Sequence, residues 1–235
     1  MAIPFYLAMT AAEMENAEVL PACCGWMACH FSLSSRRLTN LPVSLPAGTL
    51  LMLDDANPVS GHDPIQVAEQ LREMAERFSC AGILLDFQRS VTAEGTDMVQ
   101  GIVEALPGQV VISAPYGEEP GCPVCLPPVP CSVPLPEYLA SWEGRQIWLE
   151  GALTVEQWEI TREGAKRREV WGEMPPQHGF QDAQLHCHYA MNPEENCLRV
   201  TIWRDREDLK TLWEEAEDCG VKAMVGLWQE LVAVL

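Results

Sequence analysis

Short apolar runs alternate along the chain with stretches whose apolar residues recur at helical spacing. An apolar run that ends in polar residues and is followed by a helical stretch is typical of a strand in a parallel sheet. Eight such runs are found, and eight is the number of strands that closes a parallel barrel. The runs are Phe5 to Thr10, Met27 to Leu33, Thr49 to Leu53, Gly82 to Phe87, Gln109 to Ala114, Gln146 to Gly151, Gln184 to Tyr189 and Lys222 to Trp228.

This pattern predicts an α/β fold in which residues 1–235 form a single small (β/α)8 TIM-like barrel. The sixth strand stays open, because Val129 to Leu135 competes with Gln146 to Gly151 for that place. The segment Asn196 to Trp203 pairs back on Gln184 to Tyr189, which predicts a β-hairpin insertion near the seventh strand. Seven of the twenty residues from Gly117 to Pro136 are proline, so a rigid extended loop is expected there.

Three predicted helices begin at residues that can cap them. Asp63 precedes Pro64, a residue that suits the first helical position, and Thr96 caps the second helix. Asp205 caps the third helix, and Asp208 stands three residues later, where its side chain can bond back to the cap. Each helix is followed within a few residues by a predicted strand, as a barrel requires.

The charge of the chain restricts its partners. Thirty-four acidic residues against 15 basic ones give a formal net charge of −19 at pH 7. A polyanion is repelled by such a surface, so nucleic acid and anionic membranes are not expected as partners. The sequence has no apolar run long enough to span a bilayer and no secretory signal pattern, which predicts a cytoplasmic location.

Polar side chains stand where the predicted strands end, and in a parallel barrel these ends converge on one mouth. The set combines carboxylates, which accept hydrogen bonds from hydroxyl groups, with aromatic rings, which stack on sugar rings; it is the kind of surface that binds a carbohydrate. An acidic barrel without a ligand would show similar loop ends, so a purely structural role stays open. The set includes His30, Asp54, Asp55, Asp86, Gln88, Tyr116, Glu150, His186, His188, Tyr189, Trp228 and Glu230.

The segment from Ala81 to Gln88, Ala-Gly-Ile-Leu-Leu-Asp-Phe-Gln, resembles the fourth-strand signature of the family 18 glycoside hydrolases, the chitinase-like group, roughly Asp-Gly-Ile-Asp-Leu-Asp-Trp-Glu. Two of its three aspartates are replaced, by Ala81 and Leu84, and the catalytic glutamate is replaced by Gln88. The C-terminal segment from Tyr189 to Trp228 is similar to the last unit of that family. Its final strand closes with a sugar-stacking tryptophan, and Trp228 stands at that place.

The resemblance implies a barrel that binds a carbohydrate, with N-acetylhexosamine units as the expected type, and a catalytic pair formed by Asp86 and Gln88. The family's reaction needs a carboxylic acid to protonate the glycosidic oxygen, and an amide cannot do so near neutral pH. Catalysis is therefore expected to be impaired, or moved to another carboxylate. The candidate acids are Asp54, Asp55, Glu150 and Glu230, and the expected sugar contacts are these four residues with Tyr116, His188, Tyr189 and Trp228.

Two further patterns suit metal ions. Cys122 and Cys125 have the spacing of a zinc knuckle, with Cys131 as an incomplete partner; a zinc site, a redox pair and unliganded thiols all stay open. His186 and His188 lie two apart on a predicted strand, which favours one face and allows a metal-assisted hydrolase as an alternative function. Each set lacks a full complement of ligands, and no cofactor or metal is assigned. The sequence does not indicate the oligomeric state.

Overall fold

The computed structural model describes residues 3–170, 175–176 and 178–232, and their centre is a closed parallel barrel. Its eight strands follow one another around the barrel in chain order, and the last pairs with the first. The predicted (β/α)8 architecture is confirmed, while the assignment of residues 1–235 to one domain stays a prediction. The strands are β1 (Phe5–Met9), β2 (Cys24–Phe31), β4 (Leu50–Asp54), β5 (Gly82–Asp86), β6 (Val110–Ser113), β7 (Val124–Leu126), β8 (Ile147–Glu150) and β14 (Ala223–Leu227).

The helices cover the outside of the barrel, and their starts follow the capping rules. Asp63 caps one helix, and Asp205 forms the expected capping box with Asp208 at another. The helix predicted to begin after Thr96 begins after Thr92, whose side chain accepts a hydrogen bond from the backbone nitrogen of Gly95. The helices are α1 (Ala11–Asn16), α2 (Pro64–Phe78), α3 (Ala93–Ala105), α4 (Leu135–Ala140), α5 (Arg206–Asp218) and α6 (Trp228–Leu231), with a 3₁₀ turn at Ala114–Tyr116.

Side chains alternate along each barrel strand between two apolar layers, because successive residues of a strand point to opposite faces. On β5, Ile83 and Leu85 point outward against the helices, while Leu84 points into the barrel. Both faces are thus buried, which explains why the strands read as continuous apolar runs. The inner layer is formed by Tyr6, Ala8, Leu50, Met52, Leu84, Val111, Cys125, Ala223 and Val225.

Two of the predicted strand positions were wrong. The sixth barrel strand is neither proposed segment but β7, three residues between Pro123 and Pro127 in the proline-rich loop. Prolines at the two ends of a short strand remove no hydrogen bond from its centre. The segment from Gln146 to Gly151 contains β8, the seventh barrel strand. The segment from Gln184 to Tyr189, predicted as the seventh strand, lies outside the barrel.

The insertion between β8 and α5 is a five-stranded antiparallel sheet, larger than the predicted hairpin. The predicted pairing is present within it, between Cys187–Pro193 and Leu198–Trp203. Arg204, which is 4% exposed, ties this inserted sheet to the barrel by donating hydrogen bonds to the carbonyl oxygens of Val129, Pro130, Leu185 and His186. Its strands are β9 (Val155–Thr161), β10 (Gly164–Val170), β11 (Phe180–Asp182), β12 (Cys187–Pro193) and β13 (Leu198–Trp203), while β3 (Leu38–Thr39) pairs with β2.

The ten cysteines are free thiols. Cys125 points into the barrel, whereas Cys122 packs in the outer layer and Cys131 bonds to Thr154 of the insertion. Three thiols placed in different layers do not form the zinc site that their spacing allowed. In the part of the chain that the structure describes, no helix is long and apolar enough to cross a bilayer.

Candidate functional site at the barrel mouth

The predicted acidic residues on neighbouring strands meet at one level of the mouth. His30 is the register partner of Asp54, which is in turn the partner of Asp86 on the next strand. Register partners on parallel strands point to the same face, so the three side chains form a row across β2, β4 and β5. The Nδ1 atom of His30 lies 2.7 Å from Oδ2 of Asp54.

Gln88 lies between two carboxyl groups. Its amide nitrogen donates to Oδ1 of Asp86 over 2.6 Å, and its side chain also lies near the carboxyl of Glu150 at the end of β8, whose pKa it lowers. The structure therefore brings together three of the predicted residues, Asp86, Gln88 and Glu150. A neutral amide stands beside both acids where the family signature places a third carboxyl group.

Asp55 holds the backbone that carries Gln88. Its two carboxylate oxygens accept hydrogen bonds from the backbone nitrogens of Gln88 and Arg89, over 2.9 and 3.0 Å. The residue is 7% exposed, so its carboxylate is largely occupied by the loop that follows β5. Its position is that of a support for the loop, a role that the sequence did not suggest.

Burial gives two of the mouth carboxyls unusual acidity. Desolvation raises the pKa of Asp86, and the nearby charges of Asp54 and Asp55 add to the rise, while the bond from Gln88 opposes it. Desolvation and the charge of Asp86 raise the pKa of Glu150 to about 7, again against the opposing bond from Gln88. Near neutral pH, Glu150 is therefore divided between its protonated and ionised forms.

Three cavities meet at Gln88. The central cavity, about 270 Å³, lies over the inner layer of the barrel and is also lined by Asp86, Glu150 and Glu230. A second, about 220 Å³, runs from Glu150 along the prolines after β7 to the inserted sheet. A third, about 620 Å³, lies between the loops after β4 and β5 and contains Tyr116. The arrangement forms a cleft that extends to both sides of the Asp86, Gln88 and Glu150 group.

The aromatic residue of the signature segment supports the site from outside. Phe87 is fully buried in the outer layer, where its ring meets those of Phe31 and Tyr116 edge to face at centroid distances of 5.8 Å. Ser113 accepts a hydrogen bond from the Phe87 backbone nitrogen and donates one to its carbonyl oxygen. These contacts fix the backbone between Asp86 and Gln88, and they leave the rings of Phe31 and Phe87 out of the cleft.

The apolar replacements in the signature change the floor of the mouth. Leu84 points into the barrel below Asp86 and lines the central cavity with Ala8 and Met52. Ala81 precedes β5 and is exposed. The carboxyls of Asp86 and Glu150 therefore stand above an apolar surface, which accounts for the desolvation that raises both pKa values.

Trp228, Tyr189 and His188 do not line any of these three cavities. Trp228 packs against the outer apolar layer, and Leu227 lines the central cavity instead. Tyr189 and His188 belong to the inserted sheet, because the strand that carries them is not a barrel strand. Periodicity did not distinguish that strand from a barrel strand, which explains why Tyr189 and His188 were predicted at the mouth, whereas Trp228 was predicted there from the family resemblance.

The two histidines proposed as metal ligands face helix α5. His186 lies 2.7 Å from Glu215, and Nδ1 of His188 lies 2.8 Å from Asp208. His188, Asp205 and Asp208 come close enough to hold a metal ion. The capping box of α5 and the bond from His188 to Asp208 already account for this proximity. None of the three residues lines a cavity that contains Gln88.

No known family model matches the sequence, and no curated protein matches it significantly. Solved structures match the fold. A family 18 chitinase variant from Cycas revoluta in complex with (GlcNAc)4 has a TM-score of 0.61 at 10% identity, covering 98% of this chain and 97% of that one. A class V chitinase variant from Nicotiana tobaccum in complex with NAG4 has a TM-score of 0.61 at 8% identity, with coverages of 96% and 93%.

A bacterial structure matches in the same way. The spore cortex-lytic enzyme SleL of Bacillus megaterium has a TM-score of 0.56 at 11% identity, covering 99% of this chain and 73% of that one. At such low identity the likeness concerns the fold. The barrel is thus similar to the chitinase-like barrels that the Ala81 to Gln88 segment indicated.

Proposed function

We propose that this chain is a chitinase-like protein that binds a carbohydrate with hexosamine units at the barrel mouth, and that it lacks the general acid of the family at position 88. The observation that carries this proposal is the place of Gln88. Its amide lies between Asp86 and Glu150 at the point where the three cavities meet. A group at that point would face the bond between two sugar units laid across the mouth.

An amide at this point favours binding over hydrolysis. It can hydrogen-bond a sugar oxygen but cannot give up a proton near neutral pH, and loss of general acid catalysis costs about 100- to 10,000-fold in rate. The Cycas and Nicotiana proteins are both variants with a glutamate replaced by glutamine, and both are in complex with a tetrasaccharide. They support the idea that a barrel of this kind keeps a sugar after such a replacement.

The remaining residues have distinct roles in this proposal. Asp86 and Glu150 accept hydrogen bonds from sugar hydroxyl or amide groups, and Glu230 does so from the rim of the central cavity. Asp54 sets the charge next to Asp86, and Asp55 holds the loop of Gln88. Tyr116 lines the wider third cavity, where a further sugar unit of an oligomer would lie.

Replacing Gln88 with glutamate tests the catalytic part. We expect the native protein to bind (GlcNAc)4 without measurable hydrolysis. Gln88→Glu restores a carboxyl group beside Asp86, and we expect it to raise the rate of chitooligosaccharide hydrolysis at least about 100-fold. The exposed Gln66→Glu on α2 is the matched control and should leave the rate unchanged. Rapid hydrolysis by the native protein, or binding of no sugar by either protein, would refute the proposal.

A second candidate function is an active glycosidase that uses Glu150 as its acid. The observation that favours it is the pKa of about 7, because a general acid works best when its pKa is close to the operating pH. If the native protein hydrolyses a glycoside, the rate should fall as the pH rises above about 7. Glu150→Gln should then abolish the hydrolysis. If the rate of the native protein does not fall above about pH 7, Glu150 is not the general acid, even if Glu150→Gln is inactive.

The metal-assisted hydrolase is not proposed. His186 and His188 are engaged by carboxylates of α5, and neither lines a cavity that contains Gln88. Their contacts with Glu215 and Asp208 join the inserted sheet to α5.

A further inference from the structure

The central cavity is acidic and holds no countercharge of its own. Asp86, Glu150 and Glu230 line it, and none of its described lining residues is basic. The two neighbouring cavities differ, since Arg167 lines the second and Arg89 lines the third. The positive side chains at the mouth thus stand beside the central cavity and not within it.

Both inner carboxyls of this cavity, Asp86 and Glu150, are desolvated, which disfavours their ionised forms. Each lies in a low-dielectric site, and the charge of Asp86 disfavours ionisation of Glu150. Gln88 bonds to Asp86 and lies near Glu150, but it supplies no charge to either. A cation placed between the two carboxyls would compensate both, because opposite charges attract most strongly where water is excluded.

The floor of the cavity is apolar, which restricts the form of such a cation. A floor of methyl and methylene groups suits the C–H face of a sugar ring, and a fully hydrated metal ion gains nothing from it. The volume of about 270 Å³ accommodates a single hexosamine ring. The apolar wall consists of Ala8, Met52, Leu84, Val225 and Leu227.

We infer that the sugar unit held in the central cavity carries a free ammonium group, so that the preferred ligand is a de-N-acetylated hexosamine oligosaccharide. This inference rests on the proposed function and names its ligand class. An ammonium group donates charged hydrogen bonds to Asp86 and Glu150 together, while an acetamido group offers one neutral N–H to two acids. Without an acetamido oxygen the ligand also lacks the internal nucleophile of the family reaction, which agrees with a site built around Gln88.

Calorimetric titration with (GlcN)4 and (GlcNAc)4, at about pH 7 and about 0.15 M salt, tests the inference. We expect the native protein to bind (GlcN)4 at least tenfold more tightly than (GlcNAc)4. A charged hydrogen bond contributes about 1.5 to 3 kcal/mol, so Asp86→Asn and Glu150→Gln should each weaken (GlcN)4 binding about 10- to 100-fold. The affinity for (GlcNAc)4 should change less than threefold in Glu150→Gln.

Matched controls separate the cavity from the general negative charge of the protein. Asp97→Asn on α3 and Glu163→Gln in the β9–β10 turn each remove one exposed charge from a residue that lines none of the three cavities, and they should leave both affinities unchanged. An equal loss of (GlcN)4 binding in these controls would contradict the inference, and so would tight binding of spermidine in place of the sugar.

The preference for an ammonium group and carbohydrate binding itself are contradicted by different results. Equal affinity for the two tetrasaccharides, or a preference for (GlcNAc)4, would overturn the inference and leave carbohydrate binding at the mouth intact. Binding of neither tetrasaccharide would overturn the proposed function as well.

Discussion

Carboxyl groups have different partners at the mouth and at the inserted sheet. At the inserted sheet, Glu156 is 1% exposed and bonds to Arg167, while Glu215 and Asp208 pair with histidines. At the mouth, Asp86 and Glu150 stand beside one neutral amide, burial disfavours the ionisation of both, and the charge of Asp86 further disfavours that of Glu150. A carboxyl that is matched within the fold holds the structure together, whereas one that is unmatched is available to a ligand.

The largest expected effect on stability is at the inserted sheet, where the carboxyl groups have partners within the fold. Glu156 accepts hydrogen bonds from the backbone nitrogen of Cys131, the hydroxyl of Ser132 and Nε of Arg167. Glu156→Ala leaves these donors without their acceptor, and we expect it to lower the free energy of unfolding by about 3 to 5 kcal/mol in urea titration. Glu159→Ala, an exposed change on the same strand, should lower it by less than about 0.5 kcal/mol. Similar losses in both variants would contradict a structural role for Glu156.

The second prediction concerns Glu150, whose ionised form lowers the free energy of unfolding, whereas Glu156 raises it. Its pKa is raised from 4.5 to about 7, so the folded protein holds this proton more tightly than the unfolded chain does. The contribution of Glu150 to the free energy of unfolding is therefore greatest below about pH 4.5. It falls by about 3 kcal/mol as the pH rises to about 7.

Comparison of the native protein with Glu150→Gln isolates this contribution from those of other titrating groups. Urea unfolding at several pH values should show a difference between the two proteins that changes steadily from pH 4.5 to 7, with the variant gaining relative stability as the pH rises. A difference that is independent of pH would show that the pKa of Glu150 is the same in the folded and unfolded protein. Glu150 would then not be a carboxyl that the fold leaves without a compensating partner.

The smallest effect is expected at the histidines. His186→Asn removes the bond to Glu215, which joins the inserted sheet to α5, and should lower the free energy of unfolding by about 1 kcal/mol. His178→Asn is the matched exposed control and should have no effect. Sugar affinity should stay within twofold in both variants, and chelators should not alter it. A loss of sugar binding in His186→Asn would instead show that the inserted sheet contributes to sugar binding at the mouth.

The barrel could be predicted because both faces of its strands are buried, which leaves continuous apolar runs in the sequence. β7 was missed because it has three residues and lies among prolines, which local propensity reads as loop. β9 and β10 alternate polar and apolar residues weakly, since they lie in a partly exposed sheet. The strand that carries His188 has the apolar content of a barrel strand, and only its partners in the fold show where it belongs.

The site was predicted in part for a similar reason. Asp86, Gln88 and Glu150 end barrel strands or follow them directly, so the convergence of strand ends places them together. Nothing in the sequence distinguishes Asp54, whose carboxylate meets His30, from Asp55, whose carboxylate holds a loop. Trp228 was predicted from the family resemblance, but it directly follows Leu227, the residue of β14 that lines the central cavity, and neighbouring positions along a strand point to opposite faces.

Titration of the native protein and Asp86→Ala with (GlcNAc)4 and (GlcN)4 tests carbohydrate binding at the mouth most directly. We expect the native protein to bind at least one of the two, and the variant, with its fold verified by circular dichroism, to bind it at least about tenfold more weakly. No binding by the native protein, or equal binding by the folded variant, would contradict a carbohydrate site at Asp86, Gln88 and Glu150.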